Sequence, residues 1–208
     1  LPDVLAVPGY VRAARYKAFP GDRSFEQEYL ALYELEVEDL DALQAVSDEH
    51  MRRIEADEMH RSPPETIDRD NVRSMYFVET GPRLGGHDDV PETLFMPFTE
   101  PVSEEDDEEF NRWYQEVHLP EVLDVPGFSA ASRYKETGMN MTGRPWPINF
   151  PYLALYELGD GTKEAFENAM KELRRRISEG DRMEISDALG SDKITQVYSR
   201  ITDRISAI

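Results

Sequence analysis

The sequence predicts an α+β protein made of two β-α-β-β-α-β units whose sheets close on each other within one chain. Three observations predict it. Residues 1–17, LPDVLAVPGYVRAARYK, return at 119–135 as LPEVLDVPGFSAASRYK, with eleven of seventeen positions identical. The heptapeptide YLALYEL stands at 29–35 and again, letter for letter, at 152–158. The order of the two segments is kept, and the spacing between them grows by only five residues in the second copy. A repeat of this kind is one structural unit of about a hundred residues written twice. The expected division is 1–90 and 91–208.

The second copy carries every part. LFMPFT (94–99) is a short apolar run, and Pro97 inside it suggests an edge strand or a bulge. Ser103 followed by Asp106 resembles a capping box with Asp in place of Glu, and opens a helix over 103–118. The acidic run 104–109 suits the positive end of that helix's dipole. Phe110, Trp113, Tyr114 and Val117 follow i, i+3, i+4, i+7 spacing and form one buried stripe. Pro120 is expected to stop or bend the helix soon after His118. Pro126-Gly127 is a turn. FSAASRYKE then alternates, with Phe128, Ala130, Ser132 and Tyr134 on one face and Ala131, Arg133 and Lys135 on the other. Residues 137–151, rich in Gly, Pro and Asn, read as a long loop. PYLALYEL is apolar on both faces, which predicts a strand covered on both sides. Thr162 to Ile177 is a helix with Phe166, Met170, Leu173 and Ile177 as its stripe, and 193–202 is the last strand.

The first copy supplies VRAARYKAF and EYLALYELE as strands, Val37 to about Met59 as mostly helix, and 72–80 as a closing strand. His60–Asn71 and 81–92 are loops. This copy begins at its LP, so the first unit is expected to lack its N-terminal strand and helix, with Leu1 not the native start and a sheet edge left open. The order β-α-β-β-α-β is the ferredoxin-like split unit. Its two helices cover one sheet face, yet the other face is apolar here too. Burying the two bare faces against each other makes an intrachain α+β barrel with the helices outside. Strands 9–18, 28–36 and 72–80 are predicted to superpose on 127–136, 151–158 and 193–202.

Composition narrows the function. The 208 residues contain no Cys, which excludes disulfides and thiolate chemistry. That usage fits a cytoplasmic protein. With 23 basic and 43 acidic residues the net charge is -20, so phosphate backbones and anionic membranes are repelled and neither is an expected partner. No apolar run approaches membrane-spanning length. HEXXH and His-x-His patterns are absent, and His50, His60 and His87 have no ligand spacing, so no metal site is expected. No nucleophile elbow appears, and GPRLGG lacks the Lys and the helix of a phosphate loop.

The run WYQEVHLPEVLDVPGFSAASRYK, followed by PYLALYEL, resembles the EthD-like branch of the dimeric α+β barrel superfamily. Trp113, Tyr114, His118, Leu119, Pro120, Glu121, Pro126, Gly127, Phe128, Arg133 and Tyr134 carry the resemblance. It covers nearly all of 92–208 and the corresponding parts of 1–80. Its relatives include cofactor-free monooxygenases, lactone isomerases, polyketide cyclases, aldoxime dehydratases and heme proteins. The resemblance therefore implies a small-molecule enzyme of catabolic or secondary metabolism, with a second copy of the chain as an expected partner, acting on a small apolar or aromatic substrate by oxygenation, isomerisation, cyclisation or elimination without a cofactor. The alternative it leaves open is a non-catalytic accessory protein that binds a ligand or heme.

His118 is the first candidate, because an imidazole at a helix end can move a proton near neutral pH or, in the alternative, ligate heme. Tyr114 and Tyr134 would orient the substrate and Arg133 would hold an oxyanion. The competing reading of Arg133, and of its counterpart Arg15, is an ion pair with Glu157 or Glu34 on the next strand. Trp113, Phe128 and Tyr156 are expected to line the substrate site, where plain core packing is the alternative. Trp146, between two prolines in the long loop, would close over it. The pocket is expected between helices 103–118 and 162–177 and the sheet, with His118 at its rim.

Overall fold

The structure, a computed structural model, describes residues 1–21, 24–60, 67–86, 91–145, 147–181 and 183–207. Trp146, His87 and parts of the expected loops 60–71 and 81–92 lie outside the described residues. The helices are α1 (Pro2–Leu5), α2 (Leu40–Glu55), α3 (Asp107–Trp113), α4 (Leu119–Leu123) and α5 (Lys163–Glu179), with a π-helical turn at Tyr114–His118 between α3 and α4. The strands are β1 (Tyr10–Ala18), β2 (Tyr29–Leu35), β3 (Phe77–Glu79), β4 (Leu84–Gly85), β5 (Thr93–Thr99), β6 (Phe128–Glu136), β7 (Tyr152–Leu158), β8 (Ile194–Arg200) and β9 (Ile205–Ser206).

All nine described strands form one antiparallel sheet in the order β2-β1-β8-β5-β7-β6-β3, with β9 added to β1 and β4 to β6. The two hairpins that carry the repeated letters share a register: Tyr16 faces Leu30 in β1–β2, and Tyr134 faces Leu153 in β6–β7. Both have a register shift one residue after the glycine turn, between Tyr10 and Arg12 and between Phe128 and Ala130. The outer neighbours match too. β8 and β9 pair with β1 where β3 and β4 pair with β6.

The helices after the hairpins repeat finer detail. Asp39 caps α2 by accepting from Ala42 N, and Thr162 caps α5 by accepting from Ala165 N. Each helix is followed by a left-handed residue, Asp57 at φ 58° and Gly180 at φ 67°. Arg53 donates to the Ala6 carbonyl at 2.9 Å, and Arg176 to the Asp124 carbonyl at 3.2 Å. Gly9 and Gly127 hold φ values of 101° and 109°. A Cβ at Gly9 would meet Val46 at 2.6 Å, and one at Gly127 would meet Ala169 at 3.1 Å, so each glycine lets the hairpin press on its helix.

One sheet face curls around a common core. Ala14, Tyr16 and Leu32 from one end of the strand order meet Phe77 and Tyr134 from the other, around Leu94, Met96, Phe98, Leu153 and Leu155. The opposite face carries the helices. α3, α4 and α5 cover β5, β6 and β7 over a cluster that includes Phe95, Phe110, Trp113, Tyr114, Phe128, Tyr152, Tyr156 and Phe166. A smaller cluster with Leu5, Val7, Tyr10 and Ala13 packs Val46 of α2 against β1. Among the described residues no strand pairs with the outer edge of β2, the open edge expected from the sequence.

Four expectations are corrected. β5 is central rather than an edge strand: Pro97 lies opposite Thr195 of β8, and only the ladder to β7 skips Met96 and Pro97, because proline has no N–H to give it. Pro120 does not stop the helix. The π-turn shifts the hydrogen-bond ladder, and Pro120 falls in the first turn of α4, where a missing N–H costs little. The Ser103–Asp106 box closes side chain to side chain at 2.7 Å instead of onto backbone N–H groups. Ile177, placed in the buried stripe of α5, is 40% exposed.

Candidate active site

Strand alternation decides which candidates meet. Arg133 and Tyr134 are neighbours in β6 and point to opposite faces. Tyr134 lies in the curled inner core, where burial pushes its hydroxyl up to about 12. Arg133 lies under α3. The helix-side face therefore gathers Arg133, Tyr114, His118, Trp113 and Tyr156, and Tyr134 is not among them. Phe128, expected on the Tyr134 face, joins the helix side because the register shift between Phe128 and Ala130 turns it over. Trp146 is not described.

Arg133 is 1% exposed, so its guanidinium is out of water. Three rings surround it, with Tyr114 at 4.1 Å, Phe110 at 4.8 Å and Tyr152 at 5.0 Å from Cζ to the ring centre. Its Nη1 donates to Asn111 Oδ1 at 2.8 Å. Nε and Nη2 are buried and have no hydrogen-bond partner. The expected ion pair with Glu157 does not form: Arg133 stands opposite Ala154 on the helix side of the sheet, whereas Glu157, between Tyr156 and Leu158, points to the other face, where Arg83 binds it at 2.7 Å. Glu34 likewise goes to Arg12 and Arg204 rather than to Arg15. The nearest acid in the α3 layer, Asp107, accepts from the Tyr152 hydroxyl at 2.6 Å and from Asn111 Nδ2 at 3.1 Å. Burial pushes Arg133 below the ordinary guanidinium value, yet a guanidinium stays charged in proteins. Each orphaned donor costs about 1–3 kcal/mol.

Around this cation stand more polar groups. The Tyr156 hydroxyl and Thr99 Oγ1 are buried beside the Tyr114 hydroxyl, without a well-formed hydrogen bond. Burial raises both Tyr156 and Tyr114, and for Tyr114 the charge of Arg133 and the hydroxyls of Tyr156 and Thr99 oppose the rise. Both phenols are therefore protonated near neutral pH and can donate.

His118 ends the π-turn. Its ring stacks on Trp113 at 4.8 Å and meets Tyr114 edge-on at 4.9 Å. Trp113 is itself anchored, its indole N–H donating to the Glu184 carbonyl at 3.0 Å. The imidazole is half-buried, and burial, with Lys193 and Arg133 nearby, pushes it down to about 4. At neutral pH it is an uncharged proton acceptor. Phe128 lies edge-on to Tyr156 at 5.7 Å, on the far side of the same cluster.

The expected pocket is filled by these side chains. Of the cavities found, one of about 450 Å³ is lined by Met75, Glu136, Asn140 and Ile148, and one of about 330 Å³ by Glu116, Val117, Pro120, Glu121 and Asp124 on the outer side of the π-turn. Among the described residues no group of three or more His, Asp or Glu side chains could hold a metal ion, and no helix is long and apolar enough to cross a membrane.

Sequence reasoning missed the Asp107–Asn111–Tyr152 support beneath Arg133, although the i, i+4 spacing of Asp107 and Asn111 was legible. It also missed a second polar group. The Tyr10 hydroxyl sits 3.0 Å from His50 Nδ1 and 3.0 Å from the Tyr76 hydroxyl, all three buried. The corresponding positions beside β6 are Phe128, Leu173 and Val197, a difference that a comparison of the two copies could have revealed.

No protein-family profile and no curated protein matches the chain. Among solved structures it is similar to an anthrone oxidase-like protein, with a TM-score of 0.51 and 14% identity over 99% of this chain and 82% of that one. It is also similar to a ferredoxin-fold protein of Listeria monocytogenes 4b F2365 related to antibiotic biosynthesis monooxygenases, with a TM-score of 0.40 and 10% identity over 96% and 99% of the two chains. A chlorite dismutase of Candidatus Nitrospira defluvii gives 0.40 and 12% over 91% and 75%. The first of these likenesses supports the fold alone, an α+β arrangement around a curled antiparallel sheet.

Proposed function

We propose that the chain is an EthD-like small-molecule enzyme formed by tandem duplication, with units 1–90 and 91–208, that works by acid–base chemistry without metal or cofactor on a small apolar or aromatic substrate. The observation that carries this reading is His118, an uncharged imidazole held between Trp113 and Tyr114 beside a buried cation. A neutral base of this kind takes a proton from carbon or oxygen, and a nearby cation with phenolic donors favours the anion left behind. The duplication is supported by the reciprocal pairing of β8 with β1 and of β3 with β6, and by the matched contacts of Arg53 and Arg176.

The test asks for the proton step alone. A panel of small aromatic ketones, phenols and β-keto acids is incubated with the protein in D₂O, and exchange of the acidic C–H is followed by NMR. Exchange by the wild type that falls about 10²–10⁴-fold in His118→Ala supports the reading. Equal exchange in the two proteins overturns it. A Soret band on mixing with hemin, lost in His118→Ala, would replace the enzyme reading with the heme-binding one.

A further inference from the structure

The buried guanidinium of Arg133 has a free edge of a particular shape. Of its five N–H donors, those on Nη1 face Asn111, whose Oδ1 lies 2.8 Å away. The atoms without a partner are Nε and Nη2. In a planar guanidinium the Nε–H and one Nη2–H point the same way and form the parallel fork that fits the two oxygens of a carboxylate. The structure encloses the guanidinium among the rings of Tyr114, Phe110 and Tyr152, and fixes its far end with Asn111. Asp107, the acid able to quench the charge from within the α3 layer, is committed to Tyr152, Asn111 and Lys135. Arg15, at the corresponding place in β1, is exposed, so water serves its guanidinium. A buried cation with an intact fork, braced from behind and lined by rings, is a receptor for a flat anion attached to an apolar body.

We infer that Arg133 binds the carboxylate of a small aromatic acid, bidentate through Nε and Nη2, with the ring of that acid taking the place now filled by Tyr114. This rests on the reading that the cluster under α3 is the substrate site, and it names the substrate class for that site. Tyr114 begins the π-turn, where the helical ladder is irregular, and its ring is the nearest of the three to the guanidinium. The hydroxyls of Tyr156 and Thr99, which now face the Tyr114 hydroxyl, become the further donors available to a ring substituent once the Tyr114 ring is displaced.

The test is calorimetric titration of the whole chain at pH 7.5 with benzoate, phenol and benzamide as probes. Benzoate should bind, with phenol at least tenfold weaker and benzamide weaker still. Arg133→Gln should weaken benzoate at least tenfold. Arg133→Lys, which keeps the charge but loses the fork, should restore less than half of that loss on a logarithmic scale. Circular dichroism reports whether each variant is folded, and Arg133→Met serves as a neutral replacement of similar length if Arg133→Gln is not. Arg15→Gln, at the exposed corresponding position in β1, should leave benzoate affinity within threefold. Absence of benzoate binding to the folded wild type at 10 mM, or equal affinity in wild type and Arg133→Gln, overturns the inference. Tighter binding of phenol than benzoate assigns the fork to a phenolate and overturns the carboxylate. C–H exchange that depends on His118 while benzoate ignores Arg133 leaves the proposed function standing and removes this inference alone.

Discussion

The heptapeptide YLALYEL folds twice in this protein into surroundings that differ as much as a strand's can. In β7 all seven residues are buried, between β5 and β6 and beneath α3. In β2 none is buried. The first Tyr is 2% exposed at position 152 and 61% exposed at position 29. The same holds for the neighbouring arginines, with Arg133 sealed and Arg15 open to solvent. The local sequence dictates the hairpin, its register and its glycine turn identically in both places. It does not dictate what covers them. Over β7 the cover is α3 and the π-turn; over β2 no described residue takes that place. The chemistry of the site thus comes from the covering element, and the repeated strands are its platform.

That comparison can be broken by paired substitutions. The largest expected effect is Tyr152→Ala, which removes a buried ring touching Phe110 and Arg133 and a hydroxyl bonded to Asp107. It should cost about 3–5 kcal/mol in urea unfolding, whereas Tyr29→Ala should stay within about 1 kcal/mol. Equal costs would mean that the two strands are covered alike. His50→Leu should follow at about 0.5–1.5 kcal/mol, because it removes one partner of the Tyr10 hydroxyl and leaves Tyr76. The triple change Tyr10→Phe, His50→Leu and Tyr76→Val, which copies the positions beside β6, should return to within about 1 kcal/mol of the wild type. Arg133→Met should be neutral or stabilising by up to about 2 kcal/mol, since it removes a buried charge with two orphaned donors, while abolishing C–H exchange. Arg15→Met should change neither.

Much of this was legible in the letters. The two hairpins follow from alternation and the Pro-Gly turns, α5 from its stripe and Thr162, and the shared face of Trp113 and Tyr114 from helical spacing; the stack of His118 on Trp113, five residues apart, depends on the π-turn. Alternation also separates Arg133 from Tyr134, although it does not say which of them shares a face with His118. That choice depends on the side from which α3 lands. The fate of Arg133 was not legible without the register, which sets it opposite Ala154 and turns Glu157 to the other face, and no local pattern ties Glu157 to Arg83 in the connection after β3. The π-turn was hidden for a similar reason. Pro120 announces a break, and only packing of Trp113 and Leu119 on the sheet keeps the helix going through it.

The smallest effect is one of pH. The imidazole of His118 is pushed down to about 4, below its ordinary value near 6.5, so the unfolded chain binds this proton first as pH falls. The stabilising contribution is therefore complete above about pH 6.5 and is lost as pH drops towards 4. His118→Gln should flatten that part of the urea midpoint curve relative to the wild type.

The same group offers the most direct test of the account. The ring proton of His118, assigned by its disappearance in His118→Gln, is followed by NMR from pH 8 to pH 3.5. If His118 is the uncharged proton acceptor under α3, its chemical shift stays flat down to about pH 5 and titrates near 4. A titration of His118 centred near 6.5 would show an ordinary solvated histidine, and would contradict the claim that this cluster holds a neutral base.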